Sequence, residues 1–439
     1  MELKKHVMQR VVMPAGLKYL QWRGDPLARL LHPKWRADPY PLYAEVRERG
    51  LVQTAMGVVA VGRHDALSAI LRDTDRFGHD MTRLRKPPPA APVLTPDDPR
   101  YLVPSQSDFL LMQDPPDHTR VRRLVGKAFT PKAIASMEEW IDEVADGLVG
   151  GVARSGEMDL IEDVAFPLPL TVICRMLGVP LDDQKQFRDW GEMVGAGLDF
   201  QMTDAAVERS NKAGFELTEY LLALIDEHRA SPRDDLLSAL IAAEEAGDQL
   251  STKELIGTCM LLLVAGFETT VNLIGNGMRE LLRHPSELAV VRDGVAAGDS
   301  ALVAGAVEEM LRFDSPVQLT SRVSYEEVTV GDGVTVPAGV EVVCLLGAAN
   351  RDPAVFGADA DRFDVRRESA SRHVAFSTGI HHCLGAALAR MEARAAVRSL
   401  MRLDGLELAG EPVRRKLMVL RGYSSLPVRF SAASSVVAA

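Results

Sequence analysis

The chemistry of this chain centres on a cysteine that precedes a helix. The stretch FSTGIHHCLG, residues 376–385, runs directly into the helix-forming sequence AALARMEARAAVRSLM, and its cysteine is Cys383. Free backbone N–H groups and the partial positive charge at a helix start both favour a thiolate over a thiol. Gly379 and Gly385 allow a tight turn or a close approach to a flat, bulky group, because they carry no side chain. His381 can donate a hydrogen bond to an acid group on such a ligand. On its own, a lone cysteine is more often a small buried apolar residue.

A second chemical signal lies in the middle of a long apolar helix. The sequence STKELIGTCMLLLVAGFETTVNLIGNGMRELLRH begins with a capping box, Ser251 with Glu254, and continues too long to be anything but a buried helix. Within it, Glu268 and Thr269 place an acid beside an alcohol, which costs free energy in an apolar helix unless each group has a partner. Taken alone, these residues favour an ordinary explanation, in which Thr269 bonds back to the carbonyl of Ala265 and Glu268 reaches water.

A third signal is a basic helix that follows a proline-dense segment. We expect Asp117 to be the N-cap of this helix. His118 and Arg122 lie four positions apart, hence on one helical face, and can reach a common anion. The same helix carries further basic residues that in most proteins form a solvated face: Arg120, Arg123 and Lys127.

Taken together, these stretches resemble the cytochrome P-450 family. Five positions match the fixed residues of that family's haem-binding loop: Phe376, Gly379, His381, Cys383 and Gly385. The resemblance implies haem b as the cofactor and Cys383 as the axial thiolate ligand of its iron, the ligand type known for this family. This chain departs from the family at Ser377 and Thr378, where glycine or another small residue is usual.

The same resemblance assigns roles in dioxygen activation. The family's oxygen-binding segment matches Ala265, Gly266, Glu268 and Thr269, and in it Gly266 leaves room for dioxygen beside the backbone. The resemblance implies Glu268 and Thr269 as the catalytic acid and alcohol, which deliver protons from solvent. Phe267 stands where the family often has histidine or a small aliphatic residue, so it either shapes the pocket or packs outward.

Basic side chains are implied to hold the haem, and four of them match the family's propionate ligands: His118, Arg122, Arg322 and His381. The remaining basic residues of the helix, Arg120, Arg123 and Lys127, become candidates for docking an acidic redox partner. The formal net charge of −11 does not exclude such a local basic patch.

The resemblance also implies a buried framework beneath the haem loop. By spacing alone, Glu309 and Arg312 would form a helix-surface ion pair worth a few tenths of a kcal/mol. In the family this pair is buried and is completed by an arginine of a later segment, which corresponds to Arg362 in ADRFDVRR. Its role would be structural.

Several apolar residues are expected to face the substrate: Val264, Ala265, Val317 and Leu319. Two segments would cover the pocket. The proline-dense residues 83–104 cannot hold a continuous helix and by themselves indicate a surface loop or a linker, but the resemblance favours a variable lid over the pocket. Residues 193–211 correspond to a mobile roof.

Composition restricts the class of protein further. Hydrophobic residues make up 47% and charged residues 25% of the 439, as in an ordinary soluble globular protein. The negative net charge argues against nucleic acid as a partner. The four cysteines are scattered with no metal-type pairing, which favours a reducing cytosol. No apolar run reaches the roughly 18 residues needed to span a bilayer, so we expect a cytoplasmic protein with no membrane partner.

Fold and boundaries follow from the resemblance, which covers the chain from about Asp38 to Phe430. It implies a mainly α (α+β), single-domain cytochrome P-450 fold with a small antiparallel β region. We expect an N-terminal arm over residues 1–35, a haem-thiolate monooxygenase domain over 36–430 and a flexible tail over 431–439. For the arm, a short surface helix is the alternative.

The implied function is that of a haem-thiolate monooxygenase, which activates dioxygen and hydroxylates or epoxidises a largely apolar small molecule in secondary metabolism. No flavin- or iron–sulfur-binding segment follows residue 430, so a ferredoxin and its reductase are the expected electron donors. One alternative uses the same haem chemistry for desaturation, cyclisation or oxidative coupling. Another is a non-enzymatic haem sensor, against which the acid–alcohol pair argues, because a sensor needs no proton delivery.

Overall fold

The structure, a computed structural model, describes residues 13–432 apart from positions 56, 89–94, 96, 97, 99, 106, 107, 198, 200–203, 246–249 and 332. Residues 1–12 of the expected arm and 433–439 of the expected tail lie outside the described residues. So do several positions of the predicted lid and of the predicted roof.

Helices dominate the described chain, as the sequence predicts. In chain order they are α1 (Met13–Trp22), α2 (Pro26–Leu30), α3 (Pro33–Ala37), α4 (Tyr40–Arg49), α5 (His64–Arg72), α6 (Asp117–Gly126), α7 (Pro131–Ala135), α8 (Glu138–Val152), α9 (Pro167–Leu177), α10 (Gln184–Ala196), α11 (Asp204–Ala230), α12 (Leu236–Glu245), α13 (Thr252–Arg283), α14 (Pro285–Ala296), α15 (Ser300–Phe313), α16 (Leu346–Ala349), α17 (Pro353–Phe356) and α18 (Ala386–Leu400).

The strands are short. They are β1 (Leu51–Gln53), β2 (Val58–Val61), β3 (Phe77–Gly78), β4 (Glu157–Asp159), β5 (Thr320–Ser324), β6 (Val328–Val330), β7 (Val334–Val336), β8 (Glu341–Cys344), β9 (Glu407–Leu408), β10 (Val413–Arg414), β11 (Tyr423–Ser425) and β12 (Pro427–Arg429). Five of them form a sheet in the order β1-β2-β8-β5-β3, in which β2 pairs with β8 in parallel and the other pairs are antiparallel. Strands β6 and β7 form a separate antiparallel pair.

Helix α13 is the central element of the fold. Its predicted capping box is confirmed, because Ser251 Oγ accepts from the Glu254 N–H at 3.2 Å and Glu254 Oε2 accepts from the Ser251 N–H at 2.7 Å. By length and composition α13 could cross a membrane, but two-thirds of its most apolar window is buried inside the protein. A long apolar helix that is hydrophobic on most sides belongs in a protein core.

Part of the expected N-terminal arm is folded. The described residues from Met13 onward form α1, α2 and α3, and Leu27 and Leu30 are buried against the core. Asp25 caps α2 by accepting a hydrogen bond from the Ala28 N–H at 2.9 Å. Packing against distant side chains stabilises these short helices, and their own sequence shows too little helical periodicity to predict them.

The framework pair is buried as the resemblance implied. Arg312 donates from Nε and Nη2 to the two carboxylate oxygens of Glu309, at 2.6 and 2.7 Å, and neither side chain is exposed to solvent. Arg362 does not complete the pair with its side chain, so that prediction is wrong. Its carbonyl accepts from Arg312 Nη2 at 3.0 Å, and the second guanidinium beside Glu309 is that of Arg367, at 3.5 Å. Asp359 holds Arg367 in this place, with two contacts of 3.1 and 3.2 Å.

Candidate active site

The cysteine loop has the compact shape that its glycines predicted. The Cys383 N–H donates to the carbonyl of Phe376 at 2.9 Å and closes the loop before α18. Gly379 has a φ of +74°, and a Cβ there would overlap the carbonyl oxygen of Leu71 on α5. At Gly385, by contrast, a Cβ would meet nothing within 4 Å among the described residues. Gly379 is therefore required by the protein's own packing, whereas Gly385 borders open space.

Ser377 explains the family's preference for glycine at its position. Its φ is +60°, in the left-handed region, where a side chain costs roughly 1 kcal/mol. Its hydroxyl oxygen is buried and has no hydrogen-bond partner among the described residues. The departure from the family therefore strains the backbone six residues before Cys383.

Cys383 itself is half-buried. Burial raises the pKa of its thiol, whereas the Gly385 N–H and the guanidinium groups of Arg122 and Arg390 act in the opposite direction. Arg122 is held close to the loop, because its Nη2 donates to the carbonyl of His382 at 2.5 Å. A coordinating metal deprotonates a thiol outright. The loop thus suits a metal ligand better than a free nucleophile, which would need a lowered pKa.

Imidazole and guanidinium groups from four separate segments converge beside this loop. His118 on α6 lies with its ring centroid 4.3 Å from that of His381, and the His79 ring lies 4.8 Å from His381 on another side. Arg322 on β5 places Nη1 3.1 Å from His79 Nε2. Burial, together with the Arg122 charge, lowers the pKa of His118 to about 4. Burial and the Arg322 charge lower that of His381 to about 2.

This basic cluster, His79, His118, Arg322 and His381, fits the carboxylates of haem b. Both ring nitrogens of His118 are buried, and neither has a hydrogen-bond partner among the described residues. Buried polar atoms of this kind require a partner, and closely spaced basic groups favour an anion. His118, Arg322 and His381 come together as predicted. Arg122 lies on the same helix as His118 but donates to the loop backbone.

His79 was not predicted. No motif surrounds it, and it reaches the cluster because β3 pairs with β5, with Gly78 opposite Val323. Asp114 orients it by accepting from the His79 N–H at 2.8 Å and lying 3.3 Å from Nδ1. Burial opposes ionisation of Asp114, but the hydrogen bonds from His79 and Tyr325 outweigh it and hold the pKa of that carboxyl well below its usual range.

The predicted N-cap of α6 is wrong in detail. The helix begins at Asp117 and Pro116 occupies the N-cap position, with no side-chain cap, because Pro116 already has helical backbone angles. Arg120, one of the predicted docking residues, forms an ion pair with Glu254 at the start of α13. Its guanidinium is therefore engaged within the protein.

The middle of α13 is exposed to solvent on one face. Ala265 and Gly266 are exposed and Thr269 is half-buried, although Val264 and Phe267 beside them are buried. The ordinary explanation for Thr269 is confirmed, since its hydroxyl donates to the Ala265 carbonyl at 2.7 Å. A Cβ at Gly266 would make only an ordinary contact of 3.5 Å with Ile173, so protein packing alone does not demand glycine here.

Glu268 does not reach water. Its side chain is 1% exposed, and Oε1 accepts from Arg415 Nη1 at 2.7 Å. Burial raises the pKa of Glu268 to about 7, against the lowering effect of Arg415 and with a smaller raising effect of Glu192. Arg415 was not predicted, because it lies 147 residues further along the chain and in no recognisable motif.

Two expectations about the pocket are resolved. Phe267 packs outward, with its ring 5.2 Å from that of Phe166 and against the space left by Gly191 on α10. Leu319 is buried in a cluster that includes Leu30 and Tyr43, so the prediction that it faces the substrate is wrong. Leu319 lies just before β5, and its side chain packs against the N-terminal helices.

A half-buried cysteine in a loop before a helix, a basic cluster that lacks its anions and an open face of a core helix together define a haem-thiolate protein. The chain belongs to the cytochrome P450 family, whose family model matches residues 92–416. It is therefore an oxidoreductase of the monooxygenase type, and its cofactor is haem b.

Relatives and solved structures agree with this assignment. The chain is 41% identical over 407 residues to the cytochrome P450 monooxygenase PikC of Streptomyces venezuelae, covering 90% of this chain and 91% of that protein. It is 44% identical over 341 residues to a vitamin D(3) 25-hydroxylase of Pseudonocardia autotrophica, covering 76% of this chain and 81% of that protein. The crystal structure of P450BioI in complex with hexadec-9Z-enoic acid ligated acyl carrier protein superposes with a TM-score of 0.81 at 35% identity, covering 91% of this chain and 100% of that one.

Proposed function

We propose that this protein is a cytoplasmic monooxygenase of secondary metabolism that hydroxylates or epoxidises a largely apolar small molecule, with electrons from a ferredoxin and its reductase. The observation that carries this proposal is the exposed face of α13, where Ala265 and Gly266 present small apolar surface beside the Thr269 hydroxyl. Two similar proteins, a vitamin D(3) 25-hydroxylase and P450BioI in complex with hexadecenoic acid on its acyl carrier protein, support an apolar substrate.

Haem b, when bound, supplies the iron chemistry that activates dioxygen. In our proposal Cys383 holds the iron through its sulfur. His118, Arg322 and His381 bind the propionates, because these basic groups converge and both buried ring nitrogens of His118 have no partner among the described residues. Arg122 fixes the loop itself through the His382 carbonyl.

Proton delivery falls to the acid–alcohol pair. A carboxyl whose pKa lies near 7 can both give and regain a proton at neutral pH, which is the condition for efficient general acid catalysis. In the proposal, Glu268 supplies the proton. The Thr269 hydroxyl releases the Ala265 carbonyl and then orients this proton at the exposed face of α13. Both steps use side chains of this helix alone.

The test is turnover of an apolar compound under labelled dioxygen. Compounds that displace water from the iron are selected by their shift of the Soret band, and each is then incubated with the protein, a plant-type ferredoxin, its reductase and NADPH. We expect the product to gain one labelled oxygen atom, with Thr269→Ala forming much less of it. A product that lost two hydrogens without gaining oxygen would instead establish desaturation or coupling.

Spectra of the wild type and of a cysteine variant, recorded under the same conditions, test whether Cys383 binds the iron as a thiolate. The protein reduced under carbon monoxide should give the strongly red-shifted Soret band, and Cys383→Ala should lack it. Cys259→Ala is the control, because Cys259 is buried in α13 away from the loop and its loss should leave the band unchanged.

A further inference from the structure

The carboxyl group of Glu268 is held at only one of its two oxygens. Oε1 accepts from Arg415 Nη1 at 2.7 Å. Oε2 is buried and has no hydrogen-bond partner among the described residues. A buried acid that is half satisfied costs free energy unless the arrangement serves a purpose.

The position of Arg415 is fixed by its own backbone and side chain. It follows β10, and its N–H donates to the Gly422 carbonyl at 3.0 Å while its Nε donates to the Tyr423 carbonyl at 3.3 Å. Its second terminal nitrogen, Nη2, lies 3.6 Å from Glu192 on α10. The guanidinium of Arg415 therefore lies between the buried carboxyl of Glu268 and the carboxyl of Glu192, whose side chain is 38% exposed.

Gly195 on α10 provides the space that Oε2 occupies. A Cβ at this position would overlap Oε2 of Glu268. Gly191, one turn earlier, provides the equivalent space for Phe267. Helix α10 thus presents two glycines to α13. Of these, Gly195 leaves space for Glu268 Oε2, which has no hydrogen-bond partner among the described residues.

We propose that Arg415 is a positioning residue for proton delivery, which holds Oε1 of Glu268 so that the exchanged proton resides on Oε2 in the space left by Gly195. This inference rests on the proposed role of Glu268. Each proton that leaves Oε2 towards Thr269 is replaced by one from solvent, and no electrons or other atoms move. The charged groups that face Glu268 are Arg415 after β10 and Glu192 on α10.

The direct test is the titration of Glu268 by infrared spectroscopy on the haem-loaded protein. Subtracting the spectrum of Glu268→Gln isolates the C=O band of the protonated carboxyl. We expect its midpoint near pH 7 in the wild type. Arg415→Gln should raise the midpoint by about one pH unit or more, since the cation that favours the carboxylate is gone. Arg415→Lys keeps the charge and should restore the wild-type midpoint.

A second measurement tests which oxygen carries the proton. Without added substrate, dioxygen is reduced to peroxide or to water, and water requires further protons. Gly195→Ala places a methyl group where Oε2 lies, so the flexible carboxyl shifts and peroxide release per NADPH oxidised should rise about tenfold. Gly150→Ala on α8 is the control, because a Cβ there meets nothing within 4 Å among the described residues. Gly150→Ala should be at least as stable as the wild type, since alanine favours a helix, whereas in Gly195→Ala that gain is opposed by the displacement of the Glu268 carboxyl.

The outcomes separate the two proposals. If Glu268→Gln and Thr269→Ala leave the peroxide fraction unchanged, the proposed proton delivery fails and the role of Arg415 fails with it. If those two variants raise the peroxide fraction but Arg415→Gln leaves the infrared midpoint unchanged, only the role of Arg415 is overturned. An unchanged midpoint and an unchanged peroxide fraction in Gly195→Ala would overturn the assignment of the proton to Oε2.

Discussion

Two buried acid–arginine pairs in this molecule differ in how fully they are satisfied. In the framework pair, Arg312 contacts both oxygens of Glu309 and donates further to the carbonyls of Asn350, Ala360 and Arg362. In the pair on α13, only one oxygen of Glu268 has a hydrogen-bond partner within the described part of the chain. A fully satisfied pair can do little except hold the fold in place. The half-satisfied pair retains a group that can exchange a proton.

The largest expected effect comes from breaking the complete pair. Glu309→Ala leaves the Arg312 charge buried without a carboxylate and should lower the free energy of unfolding by about 3–5 kcal/mol. Urea unfolding followed by circular dichroism measures this loss. Glu407→Ala is the control, because its pair with Arg429 is exposed and should contribute less than about 1 kcal/mol. Equal losses in the two variants would show that the framework pair has no special role.

The incomplete pair should instead appear as a pH dependence. Folding raises the pKa of Glu268 from 4.5 to about 7, so between these values the folded protein holds a proton that the unfolded chain has lost. Stability must fall as pH rises through this window, by up to about 3 kcal/mol. Glu268→Gln has no carboxyl at this position and therefore lacks this pH-dependent contribution to stability. Relative to Glu268→Gln, the wild type should therefore lose free energy of unfolding as the pH rises from 4.5 to about 7. A difference between the two proteins that stays constant with pH would contradict the raised pKa.

A substitution in a third region, the basic cluster, should weaken cofactor binding without destabilising the fold. Arg322→Met removes a buried guanidinium, so the haem-free protein should be no less stable, because a buried charge without its anion is unfavourable. Haem transfer to an acceptor globin should become about tenfold faster, as a ligand-supporting contact is lost. Arg429→Met, at an exposed site, is the matched control. Unchanged haem transfer would remove Arg322 from the cofactor site.

The smallest expected effect lies at Ser377. Ser377→Gly relieves a left-handed backbone and removes a buried hydroxyl without a partner, which should stabilise the protein by about 1 kcal/mol after the entropic cost of glycine. Ser377→Ala removes the hydroxyl but keeps the strain, so its gain should be smaller. Thermal unfolding distinguishes the two. A larger gain for alanine would mean that the hydroxyl, and not the backbone, is the cost.

The sequence predicted those features whose residues are close together in the chain. The Cys383 loop, the capping box at Ser251 and the acid beside Thr269 are each contained within a few residues, so their spacing could be recognised. The mainly helical fold followed from the same resemblance. The N-cap role of Asp117 and the second arginine of the framework were predicted wrongly, because local spacing does not report backbone angles or the path of a loop.

Partners that arrive from distant strands could not be predicted. His79 meets Arg322 only because β3 pairs with β5, and Arg415 meets Glu268 only because the chain returns after β10. Neither residue lies in a motif, and tertiary packing alone brings each to its place. Similarly, the burial of Leu27 and Leu30 depends on a cluster built from residues up to 400 positions away, among them Met418.

The separation of Glu268 from Arg415 also has a consequence for synthesis on the ribosome. The acid is translated 147 residues before its partner, which at 5–20 residues per second is a delay of about 7 to 30 s. Throughout this interval α13 can enter a nascent apolar core only with Glu268 protonated, since no cation is yet available to it. The ionised pair can therefore form only after Arg415 has been translated.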